Sequence, residues 1–244
     1  MKLFIPFFLV LSSYTPFIMA QDTIHKKPKA NAIIKINDHL KTHHYILDNG
    51  LEVFLTPNPK APNVQVAHWV KAGSLHEKKG TTGIAHLFEH MMFRPLKMGA
   101  PSFDQQVDKL GAINNANTRF ESTYYHTSVP SKNLNELLKI ESERFRNLKV
   151  SDGLLDLERG AVWSEYSTKF DSNPMLDLWF QIYRKAFPGH PFGWTIIGFR
   201  EDLEKIKASD CNEFFNTYYR PNNIGLFITG NFDLDKTLPS VLEN

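Results

Sequence analysis

The 244-residue chain is long enough for one large domain, or two small ones, with a real buried core. Hydrophobic residues make up 42% and charged ones 22%, and the formal net charge is only +2, an ordinary globular balance. No dense Lys/Arg cluster interleaves with aromatic residues, so nucleic-acid binding is set aside.

The first twenty residues open on Lys2, run apolar from Leu3 to Leu11, turn polar and Ser-rich before Pro16, and end on the small Ala20. That is the layout of a secretory signal cleaved after Ala20. Nine continuous apolar residues are too few to span a bilayer comfortably. The expectation is export, to a periplasm in a Gram-negative bacterium or otherwise by secretion, with no membrane attachment after cleavage. Gln21 offers no thiol for a lipid. Cys211 is the only cysteine, which rules out an internal disulfide. Its place in "SDCNEFFNTYY" suits a buried helix residue better than a nucleophile.

Residues 21–40 read as an extended lead-in. "HYILDNGLEVFLTPN" is a hairpin signal, with Asn49-Gly50 favouring a tight turn that fits strand twist. A third strand follows over 64–73, where His68 should leave one face and be satisfied locally. "HEKK", residues 76–79, reads as a solvated loop. Gly83 opens a helix to about Phe93. Ser102 and Gln105 form a capping box that starts another. "INNANT" and "STYYHTSV" form a second hairpin, and a helix follows Pro130-Ser131. A long helix from about Asp152 ends at "DSNP", another runs to about Phe187, and "PGHPFG" is a loop. "REDLEKI" and "SDCNEFFNTYY" are short helices, and "NIGLFITG" is a closing strand. Strands arriving as hairpins predict an α+β fold, with a mostly antiparallel or mixed sheet and helices packed on one face. The expected organisation is a single domain over 41–244.

"HLFEHMMF" carries the chemistry. Four helical steps of about 100° bring His86 and His90 to within about 40° on one face, so both imidazoles can reach one cation of zinc size. Glu89 stands beside them, close enough to act on a metal-held water. The order H-x-x-E-H is the inverted zinc-peptidase signature. Two His and a water need a third protein ligand, a carboxylate or another His from a separate helix. The long helix offers Glu158 and Glu165, seven apart and on one face. Leu154, Leu155, Leu157, Ala161 and Val162 surround them, and acids among apolar side chains are costly unless paired or bound to a cation. On helix spacing alone, a solvated acidic stripe fits as well.

The chain resembles the inverzincin metallopeptidases, the family of pitrilysin, insulysin and the catalytic subunit of mitochondrial processing peptidase. The resemblance runs from "DNGLEVFLTPN" through "AGSLHEKKGTTGIAHLFEHMMF", "GAINNANTRFESTYY", "ERGAVWSEYS" and "HPFGWTIIG" to "YYRPNNIGLFITGNFD", roughly residues 45–235. In that family a Glu some seventy-odd residues after the motif is the third zinc ligand, with another Glu seven residues before it. Here 74 residues lie between His90 and Glu165. The resemblance implies the LuxS/processing-peptidase-like metallopeptidase fold and one zinc per chain, held by His86, His90 and Glu165. It implies that Glu89 is the general base and that Glu158 orients a ligand imidazole. Asn115, Ala116 and Asn117 would lie on an edge strand to which an extended peptide adds by main-chain hydrogen bonds. Glu121 stands where the family usually has Asp.

The activity so implied is zinc-dependent hydrolysis of peptides or unfolded polypeptides. Family members generally carry two or more domains of this size, and a downstream one supplies an Arg/Tyr pair that holds substrate. This chain reaches Asn244 just beyond one domain, so the C-terminal partner domain is expected to be absent. The chain is then a fragment, or a partner closes its site, or it is inactive as it stands. The alternative from another class is a catalytically incompetent peptide-binding or assembly subunit that retains the zinc site.

Overall fold

The computed structural model describes residues 30–37 and 39–244. The expected signal, and residues 21–29 of the lead-in, lie outside them. A seven-stranded mixed sheet is built from β1 (Ala32–Lys35), β2 (Lys41–Ile46), β3 (Glu52–Pro57), β4 (Asn63–Val70), β5 (Ile113–Thr118), β6 (Thr123–Pro130) and β7 (Ile224–Gly230). Their spatial order is β1-β2-β3-β7-β4-β6-β5. The second half of the lead-in is therefore a strand, paired antiparallel to β2. The strand read as closing the chain is central: β7 lies parallel to β3 and antiparallel to β4.

Asn49-Gly50 does turn the first hairpin, by a different geometry from the expected one. The two-residue primed turn needs φ > 0 at both central residues, but no non-glycine residue here has positive φ. Instead Gly50 N–H donates to Leu47 O at 2.8 Å, Leu47 N–H donates to Leu51 O at 2.9 Å, and Gly50 alone takes φ 85°. That is a three-residue turn with a glycine bulge.

Strand alternation decides the core. Registered pairs align Tyr45, Val53, Leu226, His68, Tyr125 and Ala116 in one row across the sheet. All but the edge residue Ala116 are buried, on the face that the helices cover. The other face keeps half-exposed aromatic contacts, His44–Phe54–Phe227 and Trp69–Tyr124–His126. His68 is not satisfied locally. It stacks on Phe145 with centroids 4.3 Å apart, and its Nδ1 sits 3.7 Å from the Glu141 carboxylate without a hydrogen-bond partner. Burial pushes its pKa down to about 4, against the pull of Glu141, so the ring is neutral.

The helices are α1 (Ile84–Met91), α2 (Phe103–Asp108), α3 (Leu134–Asn147), α4 (Asp152–Tyr166), α5 (Pro174–Ala186), α6 (Arg200–Leu203), α7 (Ala208–Tyr218) and α8 (Leu234–Glu243). The Ser102/Gln105 capping box forms at α2 as expected. Helix α4 passes through a π turn at Ser167–Asp171 before Asn173, whose side chain caps α5. Helix α8 has no counterpart in the elements expected from the sequence. Leu87, Phe88 and Met91 anchor α1 with no exposed surface, and Phe88 packs on Phe215 and Tyr219 of the α7 segment. Each such burial contributes about 1.5–3 kcal/mol. Cys211 is fully buried on α7, and burial pushes its thiol up to about 12, consistent with an inert core residue.

Candidate metal centre

Helix α1 is aimed by its N-terminus. Gly83 caps it at φ 87°, and a Cβ there would meet Ile197 O at 2.3 Å, so only glycine fits both the turn and the close approach. Glu77 is the second device. Its carboxylate accepts hydrogen bonds from Gly83 N–H at 2.9 Å and Ala85 N–H at 3.0 Å, two of the donors that a helix start leaves unpaired. Glu77 is 7% exposed, so "HEKK" is not a solvated loop at this position, although Lys78 and Lys79 are exposed. Its burial raises its pKa to about 8, and the two backbone donors oppose that rise. Thr82 adds a tie to the α6 segment: its hydroxyl donates to Asp202 at 2.7 Å and accepts from Phe199 N–H at 2.9 Å.

With its apolar side anchored in the core, α1 presents His86, Glu89 and His90 towards α4 and β5. The Nε2 atoms of His86 and His90 lie 3.5 and 3.3 Å from the same oxygen of Glu165, Oε2. Among the described residues, this is the one group of three His, Cys, Asp or Glu donors within 4.8 Å of one another. Bonds of about 2.0–2.1 Å at tetrahedral angles hold zinc ligands roughly 3.3–3.4 Å apart. The two His–Glu165 separations fit that spacing, and the N/N/O donor set is one that zinc takes.

Glu158, one α-helical heptad before Glu165, is 1% exposed and accepts from His90 Nδ1 at 2.9 Å. Its second oxygen pairs with Arg94. Leu154, Leu155 and Val162 on the same helix are buried too, whereas Leu157 and Ala161 are exposed. The apolar surround expected for both acids therefore holds on one side of α4 only. Glu165 sits at the more open end, half-buried, with Lys169 on its other oxygen.

The charges follow from these contacts. The hydrogen bond from His90 holds Glu165 down at about 2. Burial would lower the pKa of His90, but Glu158 and Glu165 overcome it and raise it to about 9. Burial, with His90 beside it, lowers His86 to about 4, so that ring is neutral. Glu89 is buried, and burial raises its pKa while bonds from Thr118 oppose the rise.

Among the described residues, strand β5 forms one edge of the sheet and pairs only with β6, through Asn115↔His126, Ala116↔Tyr125 and Asn117↔Tyr124. Asn115 and Asn117 are exposed, Ala116 is half-buried, and the Ala116 N–H is covered by Asn115 Oδ1 at 2.8 Å. The structure thus gathers His86, Glu89, His90, Glu158 and Glu165 into one cluster and sets Asn115–Asn117 on the neighbouring edge. Sequence reasoning missed Arg94, Lys169, Glu77 and the contact from Thr118. Arg94 and Lys169 each follow a cluster residue by four, a spacing that marks helical neighbours. Glu77 and Thr118 carry no such signal.

The chain matches the sequence model of the insulinase family (peptidase family M16) over residues 52–198, and that of the M16 inactive domain over residues 205–244. It is 31% identical to the zinc protease PqqE of Helicobacter pylori, covering 84% of this chain and 47% of that protein. It is 30% identical to the mitochondrial-processing peptidase subunit beta of Lentinula edodes, covering 77% of this chain and 40% of that protein. A solved protease from Helicobacter pylori superposes with a TM-score of 0.78 at 29% identity, covering 84% of this chain and 50% of that one. Pitrilysin shares the fold, with a TM-score of 0.76 at 22% identity, covering 91% of this chain and 24% of that one. The chain spans about half the length, or less, of these relatives.

Proposed function

Because the chain belongs to the insulinase family of peptidases, family M16, we propose that it is a zinc-dependent endopeptidase domain acting on peptides or unfolded polypeptides. One observation carries this reading. Two imidazole Nε2 atoms converge on a single Glu165 oxygen at 3.5 and 3.3 Å, with the buried carboxylate of Glu89 on the same helix.

His86, His90 and Glu165 would hold one zinc ion. When bound, zinc supplies a Lewis acid for the peptide carbonyl and a water of near-neutral pKa. Glu158 accepts the Nδ1 proton of His90, which fixes the ring orientation and leaves Nε2 facing Glu165 Oε2, where it would serve as a ligand. Glu89 takes a proton from the attacking water and returns it to the leaving amine nitrogen, a role suited to a carboxylate whose burial raises its pKa. The edge of β5 at Asn115, Ala116 and Asn117 receives the substrate as an added strand, reading backbone more than side chains. Ala116 N–H is the donor that such a strand would take over from Asn115 Oδ1.

A homologous domain or subunit carrying an Arg/Tyr pair would close the site over the substrate. Support comes from the mitochondrial-processing peptidase relative, which is named as a subunit. We also propose export, periplasmic or secreted, from the layout of residues 1–20. No helix among the described residues is long and apolar enough to cross a membrane.

The test is metal analysis of the purified chain followed by cleavage of a quenched peptide. Zinc should be present at one per chain. Cleavage should be feeble, rise at least about tenfold with the partner, a gain of about 1.4 kcal/mol, and vanish with a chelator or in Glu89→Gln. The second reading, a peptide-binding or assembly subunit that keeps its zinc, draws on the match of residues 205–244 to the inactive-domain model. Bound zinc without cleavage, even with the partner present, would favour it.

A further inference from the structure

Thr118 ends the edge strand β5 and is 5% exposed. Its hydroxyl donates to Oε2 of Glu89. The acceptor itself fixes the direction of that proton. The Thr123 hydroxyl, 3.4 Å away, gives its own proton to Ala72 O at 2.9 Å. An ionised carboxylate only accepts, so the proton shared with Glu89 comes from Thr118. Arg119 N–H faces Ser122 O across the hairpin, so by strand alternation Ala116 and Thr118 turn their N–H groups to the free edge. Glu89 is therefore held at the last residue of the strand whose edge Ala116 opens.

We propose that Thr118 is the positioning residue for Glu89. Its hydroxyl clamps Oε2 against the end of β5, assigns Oε1 to the reacting water, and holds the base in register with a peptide paired along the strand. This deepens the peptidase reading and rests on it for the reacting water.

The test compares Thr118→Val, which keeps the shape and loses the donor, with Thr118→Ser, which keeps the donor, in the zinc-loaded full chain. In Thr118→Val, kcat should fall at least about tenfold with KM, zinc content and Tm held, the pattern of an interaction made only in the transition state. Thr118→Ser should restore most of it. Thr118→Cys, a weaker donor, should fall between, and replaces Val in the comparison if Val does not fold. Crystal structures read the same point without activity: the Glu89 carboxylate should leave Thr118 in the Val variant and stay in the Ser variant, with His86, His90 and Glu165 unmoved. Wild-type kcat in Thr118→Val, equal loss in Ser and Val, or an unmoved Glu89 in Val would each overturn the proposal. A wild-type chain with no chelator-sensitive cleavage, even with the partner present, would sink the peptidase reading instead, and the crystal comparison would still decide whether Thr118 positions Glu89.

Discussion

Replacing Glu158 by Gln keeps the shape of the buried group and removes its charge, isolating what the carboxylate does for His90. Glu158 is 1% exposed and accepts from His90 Nδ1 at 2.9 Å. A hydrogen bond to a charged group contributes about 1.5–3 kcal/mol, against about 0.5–1.5 for a neutral pair. Gln retains one carbonyl acceptor for Nδ1, so the difference is roughly 1.2 kcal/mol, or about tenfold in zinc affinity. Glu158→Ala removes the acceptor entirely and should approach a 100-fold loss, the upper end for groups that support a metal ligand. Arg94, the other partner of Glu158, is 43% exposed and is re-solvated in both variants, so it adds little to either number. The assay is zinc competition against a chromophoric chelator at fixed neutral pH, with thermal melts of the metal-free proteins to show that the fold is kept. If Gln binds zinc as tightly as wild type, or as poorly as Ala, the role assigned to the Glu158–His90 bond is wrong.

Other perturbations separate the remaining parts. Glu165→Gln should weaken zinc binding far more than Glu89→Gln, because Glu165 Oε2 lies among the metal-facing imidazole nitrogens; equal loss in metal analysis would refute the ligand assignment. Burial raises Glu77 from its ordinary 4.5 to about 8, so the folded state binds that proton more tightly than the unfolded chain. Its contribution is complete below about pH 4.5 and is lost as pH rises through about 8. Melting curves across that window should fall with pH more steeply for wild type than for Glu77→Gln, and parallel curves would contradict the sign. Gly83→Ala must relieve φ 87° and a 2.3 Å approach to Ile197 O, so it should destabilise by about 2 kcal/mol or more and weaken zinc binding. Denaturant unfolding and the same chelator titration would check both effects, and a neutral substitution would remove Gly83 from the account of how α1 is aimed.

Most elements were legible because their signals are local. The Ser102 capping box, the alternation in β4 and β6, and the four-residue spacing of His86 and His90 are short-range patterns that the chain cannot escape once helix or strand forms. Errors came where a second segment decides. The Asn49-Gly50 turn has the right residues, yet it takes a glycine bulge, and a Cβ added at Gly50 would meet Asn222 Cβ at 2.7 Å. Leu157 and Ala161 are apolar but exposed, because only one side of α4 meets the core. His68 finds its neighbours on α3, not in its own strand.

By itself, then, the sequence determined the period of each element and the face on which His86, Glu89 and His90 must lie. Helical geometry relates side chains within about two turns, whatever the rest of the chain does. Tertiary structure alone decided that β7 enters the middle of the sheet, and that Glu165 reaches both imidazoles while Glu158 turns inward to His90. It also decided that Glu77 caps the metal helix and that Thr118 meets Glu89. The Glu158, Glu165 and Thr118 contacts join residues 29 to 79 positions apart, and Glu77 reaches its partners across a loop. No periodicity encodes such separations. They exist because burying the apolar faces of α1, α4 and the sheet leaves one way to pack them, and the polar groups at the seam then pair with whatever that packing brings within reach.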